Sequence, residues 1–310
     1  MTQVSRHQSP FDLDALTEKM LTEYALDCGI NQRGEHGVPS RLEIECMISD
    51  LLAILFPGYL KDMPVESDDA KGYVAKRLES FATQLRSAII RTVSDKSTKQ
   101  NASDIDPEAV VESFLQRLPE IRGELALDVE AAFNGDPAAR SCEEVIACYP
   151  SILAISIHRV AHELFLQGIP LIPRMMSEYA HRLTGIDIHP GAKIGLRFFI
   201  DHGTGTVIGE TTEIGNNVRL YHGVTLGALS LPKKNTRSLV GAKRHPTLED
   251  DVIVYSGATI LGGETVIGKG SIIGGNVWIT ESVPERTNVA LSNQTLAFRG
   301  NEYKMADFSI

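Results

Sequence analysis

The sequence predicts an α+β protein in which an α-helical N-terminal domain precedes a left-handed parallel β-helix of hexapeptide repeats and a C-terminal tail. The first observation is an aliphatic residue at nearly every sixth position between residues 188 and 284, which fits neither a helical period of 3.6 nor a strand period of 2. The second is a small or β-branched residue four positions after many of these aliphatic residues. The third is a helical apolar pattern between residues 11 and 182.

The helical part of the chain follows ten polar residues, 1–10, which we expect to be disordered. They lack the apolar core of a signal peptide. We predict an α-helical domain over 11–185, with a polar linker at 94–106. Apolar residues at helical spacing mark three helices, at 73–93, 107–133 and about 153–165.

The hexapeptide repeat predicts a β-helix domain over 186–289 and a tail over 290–310. Each aliphatic residue points into a triangular coil, and three hexapeptides complete one coil, so the stretch makes about five coils. The aliphatic positions are Ile188, Ile194, Ile200, Ile208, Ile214, Leu220, Leu226, Leu248, Val254, Ile260, Ile267, Ile273 and Ile279. One loop, 228–246, interrupts them, and its five cations have no acidic residue among them.

Composition argues against several partners and locations. The chain has 310 residues and a net charge of −10, and nonspecific binding to nucleic acid or to anionic membranes requires a basic surface. No run of 18 apolar residues is present, so no transmembrane helix is predicted. The four cysteines form neither a CxxC pair nor a metal-ligand spacing. We therefore expect a cytoplasmic protein with free thiols.

Several motifs occur in one order along the chain. They are Asp136-Pro137-Ala138, the segment Asp187–Gly195 (DIHPGAKIG), Asp201–Gly205 (DHGTG), Gly209-Glu210-Thr211, Val224–Gly227 and Arg244-His245-Pro246. From about residue 130 to 284 this order resembles the bacterial serine acetyltransferases. The resemblance implies transfer of acetyl from acetyl-CoA to the hydroxyl of L-serine, which gives O-acetyl-L-serine and CoA in cysteine biosynthesis, with feedback inhibition by L-cysteine.

Two segments depart from the family pattern. Tyr255-Ser256-Gly257 stands where the family commonly has Gly-Ala-Gly, and 290–294 replaces the usual Ala-Gly-Val-Pro-Ala-Arg after the last coil. These departures concern the contacts with acetyl-CoA and the size of the oligomer rather than the chemistry.

The chemistry requires a base, because the hydroxyl of serine is a poor nucleophile at neutral pH. A histidine, with an ordinary pKa of about 6.5, can take that proton and later return it to the departing thiolate. The resemblance assigns this role to His202 and assigns Asp187 as the carboxylate that orients its ring. Asp187 precedes His202 by a little less than one coil, so we expect it beside His202 on an adjacent coil. Alternatively, Asp187 caps the entry to the β-helix.

The substrate is a zwitterion, whose carboxylate suits a guanidinium and whose ammonium suits carboxylates. By the resemblance, Arg244 binds the carboxylate, Asp201 and Asp136 bind the ammonium, and His245 adds a hydrogen bond near the reacting end. Solvated charges are the alternative for Arg244 and Asp201. Asp136 followed by proline could also simply begin a helix.

Acetyl-CoA has a long pantetheine arm that requires close approach to the backbone. By position in the matching coils, the residues expected there are Gly227, Ala228, Ser256, Gly257, Gly274 and Gly275. The cations expected near the CoA phosphates are Lys233, Lys234, Arg237 and Lys269. The alternative is that the glycines only form turns and that the cations are solvated.

Other functions remain open. A second candidate is a hexapeptide O-acetyltransferase that acts on a sugar or a xenobiotic, and a third is a non-enzymatic scaffold. A zinc carbonic anhydrase would need three histidines around one metal, and the spread of His202, His222 and His245 argues against it. His158 and His162 have a metal-ligand spacing but no acidic third ligand apart from Glu163, so we predict no metal.

The expected partners follow from the same resemblance. Triangular β-helices of this kind usually form trimers with active sites between subunits, so we expect a homotrimer or a dimer of trimers. Family members often end in isoleucine, whose free carboxylate enters the active site of cysteine synthase. Ile310 is the corresponding residue here.

Overall fold

A computed structural model describes residues 11–26, 37–59, 69–94, 105–229 and 241–292. Helices fill the first part of this range and short strands fill the second. The helices are α1 Leu13–Ala25, α2 Arg41–Leu55, α3 Ala70–Ser94, α4 Pro107–Gly135, α5 Cys142–Cys148, α6 Pro150–Leu166 and α7 Ile172–Thr184. Helices α3, α4 and α6 confirm the three helices predicted from apolar spacing.

Local sequence explains where the helices begin. Ser40 and Glu43 form a reciprocal capping box at α2, which satisfies two backbone donors that have no partner inside the helix. Asp106 accepts the Glu108 N–H at 3.0 Å, and Pro107 follows as the first residue of α4, where its missing N–H costs no hydrogen bond. The predicted polar linker therefore ends in a helix cap.

In the part of the chain that the structure describes, fourteen short strands form a parallel solenoid. They are β1 Asp187–Ile188, β2 Lys193–Ile194, β3 Phe199–Asp201, β4 Val207–Ile208, β5 Glu213–Ile214, β6 Arg219–Tyr221, β7 Thr225–Gly227, β8 Thr247–Leu248, β9 Ile253–Val254, β10 Thr259–Leu261, β11 Val266–Ile267, β12 Ile272–Ile273, β13 Trp278–Ile279 and β14 Asn288–Val289. Each strand pairs with the strand three places later in the chain, except that β12 pairs with β14. Three strands therefore complete one coil, and the five coils confirm the predicted left-handed β-helix.

The repeat residues build the core of this solenoid. All of the predicted aliphatic positions are buried except Ile194, which is partly buried. The small or β-branched residues four positions later are buried as well, including Ala192, Val218 and Val224, except Val283, which is partly buried. The solenoid has three flat sides: sheet 1 (β1-β4-β7-β10-β13), sheet 2 (β2-β5-β8-β11) and sheet 3 (β3-β6-β9-β12-β14).

Two corners of this triangular prism matter for function. We call the turns from sheet 3 to sheet 1 the His202 corner, which includes residues 202–206, 222–224, 255–258 and 274–277. We call the turns from sheet 1 to sheet 2 the Arg244 corner, which includes residues 189–192, 209–212, 228–229, 241–246 and 262–265. The width of sheet 1 separates the two corners.

A buried ion pair joins the helices to the first coil. The Arg159 guanidinium contacts both oxygens of Asp128, at 2.7 and 2.9 Å, and neither side chain is exposed. Arg159 also donates to the carbonyl of Gly195 at 2.8 Å, and Asp128 accepts the Phe198 N–H at 2.9 Å. One pair of side chains thus holds α4 and α6 against β2 and β3.

Within the ranges that the structure describes, no single helix is long and apolar enough to cross a membrane. Helices α5 and α6 reach that length and composition only when taken together, and they meet at a bend of 77°.

Candidate active site

His202 projects from the corner of the prism that bears its name. It follows β3 directly and adopts a left-handed backbone conformation with φ of 57°, which costs energy for a residue with a side chain. The next residue, Gly203, has φ of 81°, and a Cβ there would overlap the side chain of Ile186. Only glycine fits this turn, and the turn leaves the His202 side chain 74 % exposed.

Two carboxylates share this corner with His202. Oδ1 of Asp201 lies 3.6 Å from Nδ1 of His202, and the Asp201 side chain is only 15 % exposed. Asp136, at the end of α4, faces the same corner. Its pKa is lowered first by the hydrogen bond from the Tyr149 hydroxyl, then by the Ala138 N–H, and further by the nearby Arg219 guanidinium.

Tyr149 and Arg219 are residues that sequence reasoning missed. The Tyr149 hydroxyl donates to Oδ2 of Asp136, and this bond raises the pKa of Tyr149 to about 12. Arg219 lies with its guanidinium carbon 5.6 Å from the centre of the Phe199 ring. The repeat could have located Arg219, because Phe199 and Arg219 are partners in strands β3 and β6 of successive coils. Tyr149 stands in a helical loop, where no repeat indicates its position.

Asp136 does not begin a helix, so that alternative reading of Asp136-Pro137 is wrong. It caps the C-terminal end of α4, and its Oδ1 accepts the Ala138 N–H at 2.8 Å in a turn. The next helix, α5, begins at Cys142 with Ser141 as its cap. The turn holds the Asp136 carboxylate in place at the His202 corner.

His222 lies directly above His202, with the two ring centres 5.9 Å apart. The coil register places the two histidines there, because Asp201 and Tyr221, the residues just before them, are partners in neighbouring strands. Tyr221 in turn stacks on Tyr255, with ring centres 4.9 Å apart and planes 14° apart. Two separate ring pairs thus link successive coils, His202 with His222 and Tyr221 with Tyr255.

Asp187 begins β1 beside the turn that carries His202, and its N–H donates to the carbonyl of Thr206 at 2.9 Å. It lies in the first strand of the coil that ends at His202, and it forms no ion pair with His202 among the described residues. Its carboxylate lies instead with Glu178 and His181, with one ligand atom from each residue within 4.8 Å of the others. The turn at Gly185, which precedes Asp187, and the turn that carries His202 are nevertheless adjacent, since the Gly205 N–H donates to the carbonyl of Gly185 at 2.8 Å.

The Arg244 corner holds the other predicted polar residues. Nη2 of Arg244 contacts the Glu210 carboxylate. The Thr211 hydroxyl accepts the backbone N–H groups of both Arg244 and His245, at 2.9 and 3.2 Å. Nδ1 of His245 accepts the Thr211 N–H at 3.0 Å, so the ring proton lies on Nε2.

His245 is a neutral donor at this corner. Burial, followed by the charge of Arg244, lowers its pKa to about 4. A Cβ at Gly209 would overlap the His245 ring, so the glycine of the Gly209-Glu210-Thr211 motif makes room for this histidine. Nearby, burial also lowers the pKa of His189, whose Nδ1 accepts the Gly191 N–H at 3.0 Å.

The residues expected to bind acetyl-CoA divide between the same two corners. Ser256, Gly257, Gly274 and Gly275 lie in or beside turns of the His202 corner, whereas Gly227 and Ala228 lie where the long loop leaves the Arg244 corner. At Gly257 a Cβ would overlap the Asn276 side chain. One chain therefore presents two half-sites and does not bring them together.

The predicted cations and the tail fall elsewhere. Lys233, Lys234, Arg237 and Ile310 lie outside the described residues. Lys269 lies at the third corner of the prism, between sheets 2 and 3, where it pairs with Asp250 at 3.5 Å and Asp251 at 3.6 Å. Its ammonium is therefore engaged away from both half-sites.

The comparisons with known proteins agree with one another in naming one family, although no family model matches the chain. A curated serine acetyltransferase, plasmid, of Synechococcus elongatus is 46% identical over 255 residues, which are 80% of each chain. The serine acetyltransferase of Bacillus licheniformis is 51% identical over 162 residues, 52% of this chain and 71% of its own.

Solved structures support the same conclusion. Serine acetyltransferase isoform 3 from Entamoeba histolytica, in complex with cysteine, has a TM-score of 0.70 and 32% identity over 93% of this chain and 95% of its own. The Neisseria gonorrhoeae serine acetyltransferase in complex with serine has a TM-score of 0.52 and 25% identity over 80% of this chain and 95% of its own. With a relative 46% identical across four-fifths of both chains, this protein belongs to the serine acetyltransferase family of acyltransferases.

Proposed function

We propose that this protein transfers the acetyl group of acetyl-CoA to the hydroxyl of L-serine, which gives O-acetyl-L-serine and CoA. The observation that carries the proposal is the exposed His202, held at a left-handed turn with the Asp201 carboxylate 3.6 Å from its Nδ1 and Asp136 at the same corner. A base with carboxylates beside it suits a nucleophile that carries an ammonium group.

His202 acts as the general base. Its Nε2 takes the hydroxyl proton while the serine oxygen attacks the thioester carbonyl, and the same nitrogen then returns the proton to the departing thiolate. A carboxylate at Nδ1 fixes the tautomer and stabilises the imidazolium. Asp201 contacts Nδ1 in this structure. For Asp187 to take that role, its carboxylate must turn from His181 toward His202.

The substrate is held through its two charges. Arg244 binds the carboxylate of serine, Asp201 and Asp136 bind its ammonium, and the Nε2–H of His245 donates a hydrogen bond near the reacting end. Glu210 holds the Arg244 guanidinium in the free enzyme. The pantetheine arm follows the turns of the His202 corner past Ser256, Gly257, Gly274 and Gly275, with Gly227 and Ala228 on the opposite wall.

The complete site requires more than one chain. Arg244 and His202 lie at different corners of one prism, so a single chain cannot place both on one serine. A cyclic trimer brings the His202 corner of each protomer against the Arg244 corner of the next, and a threefold ring of such contacts closes. We propose a homotrimer with three such sites. Pairing of two trimers through the helical domain is a further possibility of the family.

Mixing two inactive variants tests this arrangement. We expect His202→Ala and Arg244→Ala proteins each to lose activity alone, and mixed trimers formed by co-expression to regain it in about a third of the sites, because every cyclic trimer that contains both variants has one site with two intact corners. The measurement is activity of doubly tagged complexes purified in two affinity steps. As control, each variant is co-expressed with itself, one copy with each tag, and is purified in the same two steps. Mixed complexes that stay as inactive as the parents would contradict a site shared between protomers.

The acceptor is tested directly by thiol release from acetyl-CoA. We expect release with L-serine and none with D-serine, with simple sugars or with an aminoglycoside, because only L-serine satisfies both charge sites in the correct hand. Turnover of a sugar without turnover of serine would favour the alternative, a hexapeptide O-acetyltransferase for another acceptor. The wild-type protein and the His202→Ala variant are compared on every acceptor.

L-cysteine is expected to inhibit this enzyme in competition with L-serine. It carries the same zwitterion and differs only in having a thiol in place of the hydroxyl, so the same charged residues accept it. Initial rates of the wild type at several serine and cysteine concentrations measure this, and unchanged activity at millimolar cysteine would show that the clamp rejects the thiol. Arg244→Ala is expected to weaken the binding of L-cysteine and of L-serine together, as measured by calorimetry.

We also propose a cytoplasmic location, no resident metal in catalysis, and a contact between the residues ending in Ile310 and cysteine synthase. A terminal carboxylate imitates the carboxylate of the amino acid that the partner binds, and the isoleucine side chain fills the adjoining pocket. Deletion of Ile310 is expected to abolish binding to the cognate cysteine synthase, measured by calorimetry, without changing acetyl transfer. Undiminished affinity would show that the contact lies elsewhere.

A further inference from the structure

The junction between α7 and the first coil gathers three metal-ligating side chains. Glu178 and His181 lie one turn apart on α7, and Asp187 begins β1. One carboxylate oxygen from each acidic residue and one ring nitrogen of His181 all lie within 4.8 Å of one another. In the described part of the chain this is the one such group. The proposed mechanism uses only Asp187 of the three.

The backbone between the helix and the strand holds these residues in register. Gly185 ends α7 in a left-handed conformation with φ of 70°, and its N–H donates to the carbonyl of His181 at 2.8 Å. The carbonyl of Gly185 in turn accepts the Gly205 N–H at 2.8 Å. The turn that carries Asp187 is therefore tied both to the histidine-bearing turn of α7 and to the next coil.

A neighbouring side chain holds one of the three ligand groups in place. Arg174 contacts Oε1 of Glu178, while Oε2 of the same carboxylate lies 3.6 Å from Nδ1 of His181. An outer partner that holds one oxygen and presents the other is a common arrangement around bound metals. Ligands of a tetrahedral zinc ion lie about 3.3 Å apart, given metal–ligand bonds of about 2.0–2.1 Å. The exposed Glu178 can close the remaining gap by a change of rotamer.

We propose that Glu178, His181 and Asp187 form a binding site for a first-row divalent cation, with zinc as the best match. One imidazole and two carboxylates suit zinc, whereas magnesium prefers an all-oxygen shell. Water completes the coordination. The regulatory consequence rests on the proposed function: zinc holds Asp187 away from His202, so the bound metal inhibits acetyl transfer.

Binding is tested on the purified full chain with zinc alone, by competition with a chromogenic chelator. We expect one zinc per chain, and we expect Glu178→Gln and His181→Asn each to weaken it by at least about tenfold, since two ligands hold the ion far less well than three. His222→Asn is the matched control, because His222 and His202 form the competing histidine pair. Loss of binding in His222→Asn but not in His181→Asn would overturn the proposal.

Spectroscopy separates this site from the thiols. Cobalt in place of zinc is expected to give d–d bands without the thiolate charge-transfer band that the exposed Cys46 or Cys148 would produce. A charge-transfer band that persists in His181→Asn would assign the metal to cysteine and overturn the proposal. Magnesium at the same concentration is expected neither to displace cobalt nor to change the bands.

Activity gives the third measurement. Zinc is expected to inhibit the wild type and to leave His181→Asn largely unaffected, while both have similar rates without metal. Loss of thioester absorbance is the readout, since released CoA would itself bind zinc. Equal inhibition of both proteins would overturn the regulatory role. Serine acetylation that depends on His202 would survive any of these failures, so they are distinguishable from failure of the proposed function.

Discussion

Replacing His202 with alanine is expected to lower kcat by about 10²–10⁴, the range that loss of a general base usually costs. The affinity for acetyl-CoA should change little, because the expected pantetheine contacts lie in turns of later coils, around Ser256 and Gly274. The exposed ring at a left-handed turn makes few packing contacts, so the variant should fold normally. Steady-state rates and binding of acetyl-CoA, measured separately, check this expectation.

The neighbouring carboxylates provide the controls. Asp187→Asn and Asp201→Asn are expected to cost less than His202→Ala, because each disturbs orientation or charge while the base remains. The two variants also separate the candidates for the partner of His202. If Asp201→Asn raises the KM for serine and Asp187→Asn lowers kcat, then Asp187 orients the ring and Asp201 binds the ammonium. Near-normal turnover in His202→Ala would refute the base mechanism.

Removing one partner of the Asp128–Arg159 pair is expected to produce the largest loss of stability. Asp128→Ala leaves the Arg159 guanidinium buried without its carboxylate, and breaking a buried pair in this way costs about 3–5 kcal/mol. The loss should fall on the contact between the helices and the solenoid, because both side chains also bond to backbone near β2 and β3. Thermal unfolding followed by circular dichroism measures it.

A matched surface pair tests whether burial is the cause. Arg86 and Glu108 form an ion pair whose side chains are 51 % and 63 % exposed, and Glu108→Gln is expected to cost about 0–1 kcal/mol. The double variant Asp128→Leu with Arg159→Met should be less damaged than the two single variants together, because no uncompensated charge remains. If the Asp128→Ala protein unfolded at the same temperature as the wild type, the Asp128–Arg159 pair would not be what joins the helices to the solenoid.

The fold was largely predictable because its signals are periodic. An aliphatic residue at every sixth position is explained by one structure, the β-helix, and each of these residues is therefore expected to be buried. The helices around Phe81 and Phe114 followed in the same way from their apolar spacing. The coil register could also have predicted that the His222 ring lies near the His202 ring, because Asp201 and Tyr221, the residues just before them, are partners in β3 and β6. Tyr149, in contrast, lies between two helices and carries no periodic signal.

The sequence by itself determined the coil, its glycine turns and the residue types of the candidate site. These features depend on local backbone conformation and on a short repeat, and both are properties of residues that are close together in the chain. Only the tertiary structure decided that Asp136 ends a helix rather than begins one, and that Asp187 lies with His181. It also decided that His202 and Arg244 stand at different corners of the prism. Such facts depend on how distant segments pack, because the placement of α4 and α6 against the first coil depends on buried contacts such as Asp128–Arg159 and not on any local pattern.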